Sequence, residues 1–491
     1  MIPRLSPTTL DRLPADVPRP RYDRASLPTG IVHIGLGAFH RAHQAVYTED
    51  ALAREPGPWG ICGVSLRSPD TRDALAPQGG LYTVVVRDAQ GERPRVVGSV
   101  TEALVAPEDP AAVLDRLAHP AVRVVTVTVT EKGYCHEPAT GALNEDHPDI
   151  RHDLANPQSP RTLPGFLAAA LARRRAAGVA PFTVLSCDNL PHNGAVTAGV
   201  LRRFAELRDP DLGRWIADQV ACPSSMVDRI VPATTAEDRA AVAARLGLDD
   251  AWPVMTEPFS QWVVEDRFPA GRPAWELEGA EMVADVRPYE TMKLRLLNAS
   301  HSCIAYLGDL AGYETVAQTV ADPAFARFVR ALMDEEVTPT LQMPPGVDLE
   351  GYKAALLARF ANPALKHRTW QIAMDGSQKL PQRLLGTIAD RLRAGAPVDR
   401  LALGVAAWMR YVTGVDEGGR PIDVRDPLAA RFTDIAAETG PVAERLAPAL
   451  LAVESVFGTD LPRHPGFTGA VTAALARLYA RGARACVDET P

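Results

Sequence analysis

From Tyr289 to His301 the chain reads Tyr-Glu-Thr-Met-Lys-Leu-Arg-Leu-Leu-Asn-Ala-Ser-His. On an ideal α-helix with Lys293 at zero, Glu290 falls at about 60°, His301 at about 80° and Asn298 at about 140°. Four polar side chains able to hold or move a proton thus share one face of a segment that otherwise reads as buried. Burying a lysine is costly unless its charge is paired or lost. The same desolvation draws its pKa down toward neutrality, where an amine serves as a general base. Only five of the 52 basic residues are lysines (132, 293, 353, 366 and 379). Arginine stays protonated, so a lysine kept in this arginine-rich chain points to proton transfer. A Lys293–Glu290 pair that only braces a domain junction is the competing reading.

A second constellation lies near the N-terminus, where a short apolar strand, Gly30–Gly35, runs into Gly-Leu-Gly-Ala-Phe-His-Arg. Glycines at 35 and 37 let the backbone approach a pyrophosphate at the start of a helix, so Gly35, Gly37, Ala38, Phe39, His40 and Arg41 are candidate dinucleotide contacts. His40 stands where a third glycine is usual, and an ordinary tight turn fits the same residues. Asp70, beyond the strand at 59–66, is placed to bind a ribose hydroxyl and to repel a 2′-phosphate, which favours NAD over NADP. A surface helix cap is the competing reading of Asp70, and Arg67 nearby softens the discrimination. The third constellation, Ser186-Cys-Asp-Asn-Leu-Pro-His-Asn-Gly194, closes a predicted parallel strand. Ligand crevices of open α/β sheets lie at such strand ends. There Asn189, with Asn298, is a candidate pair of amide donors to an oxyanion, although turn chemistry alone also explains an Asn-rich loop. His192 has no second ligand at zinc spacing, and no metal site is expected.

The elements that must position these residues divide the chain in two. Strand-like runs at 30–35, 59–66, 82–87, 96–100, 122–130 and 181–186, separated by helices, predict a parallel sheet covered on both faces. From about residue 286, apolar residues recur at three- and four-residue spacing and β-branched runs almost vanish, which predicts an all-helical domain. The expected division is 1–285, α/β of the Rossmann type, and 286–491, mainly helical. Residues 1–28 are expected to wrap the surface. The chain has 491 residues, 46% apolar, with a net charge of −8, which excludes a disordered chain and disfavours nucleic acid as a partner. No apolar run is long enough for a membrane span. Six scattered cysteines and the absence of a leader-like apolar segment lead us to expect a cytoplasmic protein without disulfides.

Six ordered motifs, Gly35–His43, Thr130–Cys135, Ser186–Gly194, Ser225–Ile230, Lys293-x4-Asn298-x2-His301 and Asp375–Pro381, resemble those of the polyol-specific long-chain dehydrogenases. That family includes mannitol 2-dehydrogenases and fructuronate reductases (D-mannonate oxidoreductases). The resemblance implies an interdomain active site and metal-independent hydride transfer with NAD. Lys293 then matches the general base, Asn189 and Asn298 the oxyanion donors, and His301 the group that orients substrate and lysine. Glu290 matches a carboxylate that relays the proton to solvent. Thr130 and Glu131 join the cofactor side; Asp228 and Lys379 lie near the polyol. Mannitol-type enzymes carry an arginine where Gln371 stands here, which favours a sugar acid (D-fructuronate/D-mannonate), its carboxylate neutralised by Arg368 or Lys379. The alternatives are a mannitol 2-dehydrogenase or related polyol dehydrogenase and, more remotely, an NAD-sensing protein without catalysis. The family resemblance also implies a monomer or weak oligomer.

Overall fold

A computed structural model describes residues 2–137 and 140–490, and the chain separates into two compact units at Arg287/Pro288. The first unit contains β1 (Thr29–Ile34), β2 (Gly60–Ser65), β3 (Tyr82–Asp88), β4 (Gly91–Val97), β5 (Val100–Val105), β6 (Val124–Val127) and β7 (Thr183–Ser186), followed by β8 (Ser225–Asp228), β9 (Val254–Thr256), β10 (Gln261–Glu265) and β11 (Glu281–Val283). Five of them form an all-parallel sheet in the order β5-β2-β1-β6-β7. Alternation along β1 feeds both faces. Val32 and Ile34 join the core under the helices Pro110–Ala118 and Leu163–Ala176, and Ile31 joins the opposite core with Ala45 and Leu52. Both faces are therefore covered, as the unbroken apolar runs require.

The strands at 82–87 and 96–100 depart from the expected single sheet. β3 and β4 form an antiparallel hairpin, and β9 adds to β3 in parallel as a separate three-stranded sheet. The run expected at 96–100 is split at Gly98–Ser99 into the end of β4 and the start of β5. A third sheet, β11-β10-β8, was not foreseen, because its strands span only three to five residues. Within residues 2–28, Leu5, Leu13 and Val17 are buried against Leu81, Val85 and Met255, so this stretch is anchored as well as peripheral.

His33 on β1 stacks face to face on His40, with ring centroids 3.4 Å apart and both side chains buried. Burial pushes the His33 pKa down to about 3 and that of His40 well below the ordinary value of 6.5. Both rings are neutral in the folded protein, while in the unfolded chain each takes up a proton below about pH 6.5. Their contribution to stability is thus complete above pH 6.5 and is lost as the pH falls from there toward the folded pKa. The loss is about 1.4 kcal/mol per pH unit for each histidine. Urea unfolding between pH 7.5 and 5 should therefore show falling stability, with a shallower slope in His40→Phe by about one proton. Equal slopes in the two proteins would contradict the neutral stack.

The second unit is helical. Its central helix, Ala299–Leu310, is buried along nearly its whole length and packs against the helices Thr369–Ala373, Asp399–Tyr411 and Pro465–Glu489. The segment 287–310 is not a uniform α-helix, contrary to expectation. It runs α over Arg287–Met292, π over Lys293–Asn298 and α again from Ala299. Two other helices are likewise widened, at Leu332–Val337 and at Pro381–Leu385, and both widened segments pack against Lys293–Asn298. A proline lacks the N–H of a regular ladder, which gives Pro381 a reason to sit at the start of such a turn. Single-turn π-bulges are frequent at functional sites.

Candidate active site

The glycine turn leaves β1 at the carboxyl edge of the parallel sheet. Gly35 adopts φ +102°, and a Cβ there would lie 2.0 Å from the Thr128 carbonyl oxygen, so only glycine fits. At Gly37, just before the helix Ala38–Ala42, an added Cβ would meet only the Gly35 carbonyl at 3.6 Å, and the residue is exposed. A tight turn that opens onto a helix start at the centre of a five-stranded parallel sheet suits a dinucleotide pyrophosphate. Ala38 and Phe39 are partly exposed beside it.

His40 and Arg41 do not face this opening. His40 is held against His33, and its two ring nitrogens are buried without hydrogen-bond partners. It fills the helix–strand contact that the third glycine of the usual fingerprint leaves close and empty. The Arg41 guanidinium is buried over the Tyr82 ring and donates to the Trp252 carbonyl. Both side chains pack into the core, which leaves only the backbone of these two residues to meet a cofactor. Asp70 opens the helix Asp70–Leu75 beyond β2, is exposed, and accepts a 3.0 Å bond from Ser68. Arg67 is exposed in the same loop.

The ends of β6 and β7 are tied together by Asp188, which the sequence reading passed over. Its carboxylate accepts from the backbone N–H groups of Val129 and Thr130, each at 2.9 Å, and from the Tyr134 hydroxyl at 2.7 Å. Burial raises its pKa, against the opposing pull of those hydrogen bonds. The clamp holds Thr130 at φ +64°, in the left-handed region, with Glu131 exposed beside it. It also sets Asn189 in the exposed turn after β7. Asp228, the last residue of β8, is buried opposite Gln261.

In the helical unit, Lys293 and His301 are each only 8% exposed, and Glu290 and Asn298 are partly exposed. The π segment changes the expected spacing. The Ala299 N–H bonds to the Leu294 carbonyl, five residues back. An i→i+5 ladder stacks position i+5 over position i, so Asn298 comes over Lys293 instead of lying well to one side of it. His301 packs against Phe360 (centroids 4.7 Å) and edge-on to His367 (5.4 Å). Its pKa is held well below 6.5, first by burial and then by its neighbours His367, Arg359 and Arg383. A neutral imidazole in this place can donate one hydrogen bond and accept another, orienting its partners without competing for the proton.

Lys379 lies between a carbonyl pair, donating to Ile372 (3.3 Å) and Met374 (2.5 Å). Burial and then the neighbouring Arg383 lower its pKa. Gln371 is exposed on the short helix Thr369–Ala373. Arg368, next to His367 in the chain, makes an exposed ion pair with Glu314 at 2.6 Å. It lines a cavity of about 600 Å³ at the far end of the central helix, with Asp309, Trp370, Tyr411 and Arg425. His301 and Asp309 are eight residues apart along that helix, or about 12 Å. Lys293 and His301 are not among the residues that line this cavity.

Two family models cover most of the chain. Residues 29–277 match the mannitol dehydrogenase Rossmann domain, and 285–479 the mannitol dehydrogenase C-terminal domain. The chain belongs to the mannitol dehydrogenase family of oxidoreductases. Among its family relatives, the D-mannonate oxidoreductase of Escherichia coli K12 is 49% identical over 96% of this chain and 97% of that protein. The mannitol 2-dehydrogenase of Phaeosphaeria nodorum is 44% identical over 96% of this chain and 83% of its own length. In structure, the Pseudomonas fluorescens mannitol 2-dehydrogenase, solved as a ternary complex with NAD and D-mannitol, matches with a TM-score of 0.84 and 44% identity. It covers 99% of this chain and 98% of that one. The family's two-part architecture, a parallel sheet unit followed by a helical unit, is the one described above. Among the described residues, no helix is long and apolar enough to cross a membrane.

Proposed function

We propose that this protein is an NAD-dependent oxidoreductase that interconverts the ketone and secondary alcohol of a six-carbon sugar acid, the D-fructuronate/D-mannonate pair. The observation that carries this reading is the 49% identity, end to end, with a D-mannonate oxidoreductase. The Arg383 guanidinium beside a neutral His301 supports it, because a positive charge there suits an anionic substrate better than a neutral polyol. The turn at Gly35 and Gly37 holds the pyrophosphate, with Asp70 on the adenosine ribose. When bound, the nicotinamide supplies or accepts the hydride. Asn298 and Asn189 donate amide N–H groups to the alkoxide as charge develops on the carbonyl oxygen. Lys293 gives its proton to that oxygen in reduction and takes it back in oxidation. His301 fixes the hydroxyl and the ammonium relative to one another. Glu290, one helical turn before Lys293 and partly exposed, passes the proton to and from solvent. Asp228 and Gln371 complete the polyol contacts.

A second reading, D-mannitol 2-dehydrogenase, is favoured by the likeness to the mannitol complex. Incubation of D-mannonate with NAD, followed by NMR of the products, distinguishes the two. We expect D-fructuronate to accumulate with stoichiometric NADH, and D-mannitol to be oxidised far more slowly. Rapid oxidation of mannitol with inert mannonate would establish the second reading.

A further inference from the structure

Many arginines of this protein are committed. Those near the surface meet carboxylates, as Arg368 meets Glu314 and Arg295 meets Asp390. Those in the interior cap carbonyls, as Arg174 does with Leu117, His119 and Ala180, and Arg391 with Glu335 and Pro397. Arg383 does neither. Its one hydrogen bond among the described residues runs from Nη1 to the Ser302 hydroxyl, at 3.1 Å. No carboxylate among them lies within ion-pair distance of it. A guanidinium offers five N–H donors in a planar fork, so four have no protein acceptor, and the side chain is only partly exposed. Keeping a charge in such surroundings is costly unless something of opposite sign arrives.

The position of that fork is as informative as its vacancy. Ser302 follows His301 directly in the chain. Arg383 is on the π segment Pro381–Leu385, which packs against the π segment carrying Lys293 and Asn298. The Lys379 ammonium is one helical turn away, also without a carboxylate at ion-pair distance among the described residues, and it feels the Arg383 charge. His301 senses the Arg383 charge as well. Two cations, one of them a fork, thus border the face that bears the proton-transfer lysine.

We propose that Arg383 is the specificity-determining residue that receives the substrate's terminal carboxylate, with Ser302 steadying the guanidinium and Lys379 adding a second positive charge. This rests on the sugar-acid reading above. It gives that reading a residue, and it replaces Arg368 as the carboxylate partner. A planar fork suits a carboxylate bidentately, whereas a neutral hydroxymethyl end of a polyol has no comparable use for it.

The test is kcat and KM for D-fructuronate and D-fructose with NADH, in the wild type, Arg383→Met and Arg383→Lys. With Arg383→Met, kcat/KM for the acid should fall about a hundredfold, mostly through KM, and that for fructose by less than tenfold. Added methylguanidinium should restore part of the acid activity and none of the fructose activity. Arg383→Lys keeps the charge and loses the fork, so the acid should lose about tenfold more than the ketose. This variant decides the matter if the methionine variant does not fold. Equal losses on both substrates would assign Arg383 to scaffolding and overturn the proposal, as would no loss on either. A wild type that prefers fructose would instead overturn the sugar-acid reading, before any variant is compared.

Discussion

Lys293→Ala is expected to lower kcat by about 10²- to 10⁴-fold, the range contributed by a positioned general acid–base group, while NADH binding is nearly unchanged. The two parts of the expectation have different physical origins. The dinucleotide turn at Gly35 and Gly37 belongs to the sheet unit, whereas Lys293 is on the helical unit. Removing the amine therefore leaves the pyrophosphate contacts intact. Truncation also removes most of a side chain only 8% exposed. Some stability is lost with it, so the variant is assayed at a temperature where circular dichroism shows it folded. Protein fluorescence quenching by NADH then reports cofactor affinity, and single-turnover absorbance reports the chemical step. A variant that turns over at near-wild-type rate would remove Lys293 from the reaction. A variant that loses NADH binding in proportion to activity would show that the lysine acts on the cofactor instead.

Asn298→Ala should cost about 10²- to 10³-fold in kcat, the usual loss for one oxyanion donor. Its placement over Lys293 by the π ladder puts a donor and a proton on one side of the segment. Asn298→Asp is the sharper variant, since it keeps the shape and replaces a donor with an acceptor of negative charge. It should be at least as impaired as the alanine variant, with a modest change in KM. The oxyanion role fails if Asn298→Asp retains more than a tenth of wild-type kcat.

The candidate catalytic constellation was legible because its residues lie close together in the chain. A lysine retained among arginines, an asparagine five positions on and a histidine three beyond that are visible in a single window. The π-bulge was not legible, since an i→i+5 ladder has no hydrophobic period of its own and the leucines around it fit an ordinary α-helix. The dinucleotide turn was readable from Gly35 and Gly37, but the direction of His40 was not. Whether that ring faces a ligand or the core depends on His33, seven residues earlier on β1, and on the stack the two make. Asp188 and Arg383 were missed for one reason. Asp188 is defined by partners 58 and 59 residues away, and Arg383 by a hydroxyl 81 residues away. The ion pair of Arg368 with Glu314, 54 residues distant, is equally invisible in sequence.

Turnover of D-fructuronate by Lys293→Ala with added primary alkylamines tests most directly whether this lysine moves the proton. Turnover should rise with amine concentration. It should follow the amine's protonated form in reduction and its free base in oxidation of D-mannonate. Turnover that is indifferent to amines, in a folded variant that still binds NADH, would contradict the role given to Lys293.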